Sequence, residues 1–174
     1  MKIVRTFADQ LFAFHFDGEK MNELPRLLTL WNDTEYLHEF VTSNKLDVPQ
    51  NVPIRTLVFQ LIDNANDIDE ALNEISKDSE RSLEEFFKPL DNQEYHIVEL
   101  SKQKGRKNFL RLFAIKIDNN CFVITGGAIK FHHLNKDRTH TQKEMQKINS
   151  CRDYLKDNNV FDADSFYEFL NEQQ

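Results

Sequence analysis

Between Lys102 and His140 the chain gathers side chains able to hold and process an anion: Lys102, Lys104, Arg106, Lys107, Arg111, Lys130, His132, His133, Lys136, Arg138 and His140. Guanidinium and ammonium groups grip phosphate oxygens and stabilise negative charge that develops on them. Imidazoles exchange protons near neutral pH. That combination suits phosphodiester chemistry. With RNA the nucleophile is supplied by the substrate, as the 2′-OH beside the scissile phosphate. The segment is also poor in the carboxylates that usually hold Mg²⁺. No cofactor is expected.

The concentration of positive charge runs against the chain as a whole, whose formal net charge is −7. Residues 1–94 hold 9 Lys and Arg against 19 Asp and Glu, residues 95–160 hold 13 against 6, and residues 161–174 hold none against 4. A basic block in an acidic chain is an electrostatic footprint for an anionic partner, most often nucleic acid. The plainer reading is a solvated helix face with chance clustering.

Strand alternation assigns faces to these residues. In "NFLRLFAIKID", Phe109, Arg111, Phe113 and Ile115 point one way, and Leu110, Leu112, Ala114 and Lys116 the other. Both faces are mainly apolar, which marks a central strand. Arg111 therefore lies among Phe residues, where an unpaired guanidinium is expensive. Either it pairs with a buried carboxylate, or it projects towards an anion from outside. In "CFVITGGAIKFH", Lys130 and His132 share a face opposite Ile129 and Phe131. If the two strands are neighbours, Arg111 and Lys130 converge. Lys102, Lys104, Arg106 and Lys107, in and beside the loop "QKGRK", would rim that surface. Gly126-Gly127 reads as a bulge, because no P-loop or dinucleotide-binding pattern surrounds it. For His132, His133 and His140 as metal ligands, no Cys or carboxylate completes a known spacing. His15, His38 and His96 fit ordinary structural positions.

The elements that must position these groups are legible from periodicity. "KIVRTFADQLFAFHFDG" predicts a strand or strand pair closed by Asp17-Gly18. Helical spacing runs from Asn22 to Lys45, with Pro25 in the first turn. After the break "LDVPQNVP", an apolar stripe from Ile54 to Ile75 predicts a long helix with an acidic outer face. "SLEEFFKPL" predicts a short helix capped by Ser82 and Glu85 and ended by Pro89. Three strands follow, "YHIVELSK", "NFLRLFAIKID" and "CFVITGGAIKFH", then a helix with Thr141 as N-cap and Glu144 reaching back to it. Its apolar stripe is Met145, Ile148, Cys151 or Arg152, and Leu155. A last helix is capped by Asp164 or Ser165.

With 174 residues this predicts a single α+β domain, a small antiparallel sheet from about residues 95–132 packed against the N-terminal helices. No apolar run reaches the roughly 20 residues of a membrane span. The start lacks the features of a secretory signal, and two isolated cysteines suggest reduced thiols. The expected location is cytoplasmic.

The order strand, helical pair, three-stranded meander with basic residues on the sheet, and then a helix resembles the RelE/ParE toxin superfamily, nearest its HigB or phage Gp49-like branch. The matching text is "NFLRLFAI", "ITGGAIKFHH" and "RTHTQKEMQKI", within residues 93–157. The resemblance implies the toxin of a type II toxin–antitoxin system, a ribosome-dependent, metal-independent mRNA endoribonuclease restrained by an antitoxin of the helix-turn-helix kind. It implies that Arg111 stabilises the scissile phosphate, assisted by Lys102, Lys104 or Arg106. Lys130 takes the family's strand-end lysine position. His132, His133 or His140 would be general acid or base, with Tyr154 behind them, and Lys107, Lys136 and Arg138 would contact RNA. Residues 48–90 exceed the usual family length and are expected to form a helical insertion. Two alternatives remain open on the same residues: a toxin that acts by binding a protein, as ParE members do, and a protein-interaction or regulatory domain.

Overall fold

The computed structural model describes residues 1–90, 100–131 and 139–173, with side chains throughout these except at 139–141. Six strands form one sheet: β1 (Lys2–Arg5), β2 (Leu11–His15), β3 (Phe87–Pro89), β4 (Ser101–Lys107), β5 (Leu110–Asp118) and β6 (Cys121–Ile129). Their order across it is β1-β2-β6-β5-β4-β3. Neighbours are antiparallel except β2 and β6, which run parallel with Phe12 opposite Val123. The sheet is therefore mixed, not the purely antiparallel one expected, and it includes the N-terminal hairpin. A parallel pair needs a long crossover, and the helices between β2 and β6 supply it.

Five helices cover the sheet: α1 (Glu23–Trp31), α2 (Thr34–Ser43), α3 (Ile54–Lys77), α4 (Thr139–Asp157) and α5 (Ala163–Glu172). Leu27, Trp31, Leu37, Leu57 and Leu61 from the first three pack on one face, with Leu110, Leu112, Phe122 and Ile124. Ile148, Cys151, Leu155 and Phe166 pack on the other, with Phe113, Ile115 and Val123. The sheet is thus buried on both sides, which is why β5 and β6 are apolar in both alternating sets. The N-terminal helices pack against the sheet as expected, and α4 and α5 cover its second face.

Several boundaries differ from the sequence reading for identifiable reasons. The periodic stretch from Asn22 splits in two because Asp33 caps a new helix, accepting from the N–H groups of Glu35 and Tyr36. Ser82 and Glu85 do form a capping box, but only a single 3₁₀ turn, Leu83–Glu85, follows it. Phe87–Pro89 then becomes edge strand β3, where a proline is tolerated. "QKGRK" is no loop: β4 runs through it, and the turn is Asn108-Phe109, with Asn108 at φ 43°. The first residues of the expected strand "YHIVELSK" lie outside the described ones. Thr141 falls within α4, so Glu144 is not its capping partner. α5 is capped by Asp162, with Ser165 returning the bond.

Candidate anion-binding site

Residues directly opposite on antiparallel strands share a face. Lys102 opposes Ile115, Lys104 opposes Phe113 and Arg106 opposes Arg111. Arg111 in turn opposes Ala128, two residues before Lys130. Lys102, Lys104, Arg106, Arg111 and Lys130 therefore project to the α4–α5 side of β4, β5 and the end of β6. Lys107 opposes Leu110, which packs towards α1–α3. It leaves the set, because a strand alternates its side chains where a loop would not. Phe109, placed with Arg111 by simple alternation, also turns to the α1–α3 side, since it lies in the hairpin turn.

Arg111 forms the floor of this surface and is only 7% exposed. Its Nη1 donates to the carbonyls of Asn108, at 2.5 Å, and Leu110, at 3.0 Å. Arg106, exposed at the lip, donates from Nε to the same Asn108 oxygen at 3.4 Å. Two guanidiniums thus meet at one carbonyl. Lys104 Nζ donates to the carbonyl of Leu90 at 3.2 Å. Among the described residues no carboxylate pairs with Lys104, Arg106, Arg111 or Lys130. Burial, with the Arg106 cation adding to it, holds the Arg111 guanidinium down to about 10. The Lys130 ammonium is likewise pushed below its usual value, first by burial and then by Arg111, Lys104 and Arg106. These like charges raise one another's cost, and an incoming anion would turn each repulsion into an attraction.

The hairpin tip that carries the two arginines is held from two directions. The Phe109 N–H donates to Asn64 Oδ1 at 3.3 Å, and the Lys130 N–H donates to the Phe109 carbonyl at 2.7 Å. Asn64 is the one polar side chain in the buried stripe of α3. That isolated amide was its only signal in the sequence, and it passed unnoticed there. Through it the long helix holds the turn that carries the two arginines.

A second charged group, also missed, lies where β2 parts from β6. Between Ala114 and Phe113 the pairing skips from Ile124 to Gly126, leaving Thr125 as the extra residue of a bulge. Beyond it the Gly127 N–H donates to Glu144 Oε2 at 3.1 Å. Lys147 Nζ donates to Glu23 Oε2 at 2.6 Å, and Arg26 Nε to Glu23 Oε1 at 2.7 Å. Burial raises the Glu144 carboxyl above its usual range. Two acids and two bases balance here, so this cluster ties α1 to α4 and is a clamp rather than a ligand site. The glycine pair makes the approach possible: a Cβ at Gly126 would lie 2.2 Å from Glu144 Oε2, and one at Gly127 2.7 Å from the Trp31 ring.

His132, His133, Lys136 and Arg138 lie outside the described residues, and the side chain of His140, in the first turn of α4, does too. Tyr154 is set apart from the cations. Its hydroxyl donates to the Met1 carbonyl at 3.1 Å, at the start of β1, which is three strands from β5. Both cysteines are free and buried, and burial pushes their thiols up to about 12, which leaves them unreactive. Among the described residues no helix is long and apolar enough to cross a membrane, and no three His, Cys, Asp or Glu side chains stand together as metal ligands would.

Compared with known proteins, the chain matches no family model, no curated protein and no solved structure. The likeness to the RelE/ParE toxins accordingly rests on the residues quoted above.

Proposed function

We propose that the chain binds RNA through the cationic face of β4, β5 and β6, and that it is the endoribonuclease toxin of a type II toxin–antitoxin pair. One observation carries the reading: Arg111 is nine-tenths buried beside three other cations, with no carboxylate partner among the described residues. Arg111 meets only carbonyl oxygens there, so its buried charge still costs free energy and stability alone does not call for it. A phosphodiester compensates it. The element order is in keeping with this reading in one respect: N-terminal strands and helices precede a run of strands whose last, β6, lies beside β2.

In this reading attack by the 2′-OH builds negative charge on the phosphorane oxygens. Arg111 at the floor and Arg106 and Lys130 at the lip stabilise that charge more than the ground state. His132 and His140 are the proposed proton carriers. The test is expression of the chain and of Arg111→Ala and Lys130→Ala in growing cells, with translated mRNA followed by primer extension. Growth arrest and cleavage with the native chain, both lost in the variants, are expected. Intact mRNA during growth arrest that survives both substitutions would overturn the nuclease. It would favour a toxin that only binds. No effect on growth would overturn the toxin reading altogether.

A further inference from the structure

We infer that Phe109 and Phe131 form a base-stacking subsite next to the cations, so that the ligand is a strand with unpaired bases gripped at both phosphate and base. The inference rests on the phosphate-binding reading above and adds to it what occupies the neighbouring surface. The two rings lie 5.2 Å apart between centroids at an interplanar angle of 58°. Phe109 lies two residues before Arg111, and Phe131 is next to Lys130. Phe109 follows Asn108, whose carbonyl collects both guanidiniums, and its own carbonyl accepts the Lys130 N–H.

The rings and the cations stand on opposite sides of the same hairpin end, as a nucleotide's base and phosphate stand on opposite sides of its sugar. A strand passing over that end sets phosphate on Arg106, Arg111 and Lys130 and the attached base on the rings. Both rings are partly exposed. They sit at the open edge of the core formed with α1–α3, whereas Phe87 and Phe122 within it are at 2% or less. Phe109 and Phe131 are also braced for contact. Asn64 fixes the backbone of Phe109, and Phe40 stands behind Phe131 with ring centroids 6.3 Å apart. Stacking is open to any base, because each has a π-face, and duplex RNA keeps its bases out of reach.

The experiment compares the native chain's affinity, by fluorescence anisotropy, for a short oligoribonucleotide and for an abasic ribose-phosphate oligomer of equal length. The base-bearing strand is expected to bind about tenfold tighter or more. Phe109→Leu and Phe131→Leu should each reduce that preference and leave abasic binding unchanged. Equal binding of the two ligands overturns the stacking subsite and leaves the phosphate site standing. Binding of neither overturns both. Should a leucine variant fail to fold, photocrosslinking of a 5-iodouridine oligomer to the native chain decides: adducts must map to Phe109 or Phe131, and adducts elsewhere overturn the inference.

Discussion

Arg111 should cost this chain stability at a single residue. Its charged form is disfavoured by burial and by Arg106, which hold it down to about 10. The sign follows from linkage. Below about pH 10 the folded chain carries the whole penalty of a charged Arg111. As the pH rises from there, the unfolded chain holds its proton longer than the folded chain, and the penalty is progressively relieved. At neutral pH it is fully present. Arg111→Met should therefore raise the free energy of unfolding by about 1–2 kcal/mol, as replacing an uncompensated buried charge with an apolar group often does. The same substitution should abolish RNA binding. Urea unfolding at pH 7 and anisotropy on the one variant check both halves. A loss of stability would mean that Arg111 holds the hairpin together, not that it waits for an anion.

Among the elements, β6 and its bulge decide how close the helices come to the site. Gly127 lies against α1, and a Cβ there would meet the Trp31 ring at 2.7 Å and the Arg111 carbonyl oxygen at 2.8 Å. One obstacle is a ring already buried at 1% exposure and the other is backbone, so neither gives way easily. Gly127→Ala should cost about 1–3 kcal/mol by overpacking. Trp31 is the only tryptophan, so its emission should shift as the ring is displaced. An unchanged urea midpoint would show that α1 moves aside freely. The sequence disclosed some of this architecture and hid the rest. The 3.6-residue stripe of α3 and the alternation of β5 are local patterns, so they were readable without knowing their neighbours. The placement of β4 was not, because "QKGRK" has loop composition and becomes a strand only by pairing with β5 and β3. The parallel contact of β2 with β6 was equally invisible, since strand composition carries no record of its partner. At the site, alternation put Arg111 and Lys130 on one face on condition that their strands are neighbours, and β5 and β6 do pair. Lys107 was misplaced once the loop became a strand, and Asn64 was overlooked because its partner lies 45 residues away.

Over the whole molecule the charge is divided by region, and that division bears on how RNA would be selected. α3 turns exposed Asp63, Asp67, Glu70 and Glu74 to solvent, on the side of the sheet away from the cations. With a Debye length of about 8 Å at physiological ionic strength, such a face repels a polyanion only at short range. It would leave the cationic face as the one place a strand can settle. Binding at four cations should release counterions, and log K against log salt should fall with a slope of about −2 to −3 for a single strand. Arg111→Ala and Lys130→Ala should each flatten the slope by somewhat under one unit. Reversing charge at Asp63, Asp67 and Glu70 to Lys should act oppositely. It should steepen the slope and add weak binding that survives Arg111→Ala, because it creates a second surface instead of strengthening the first. Anisotropy titrations at several salt concentrations separate the two effects. If the triple reversal leaves residual binding of Arg111→Ala unchanged, the acidic helix has no part in confining RNA, and the confinement must come from the shape of the hairpin end alone.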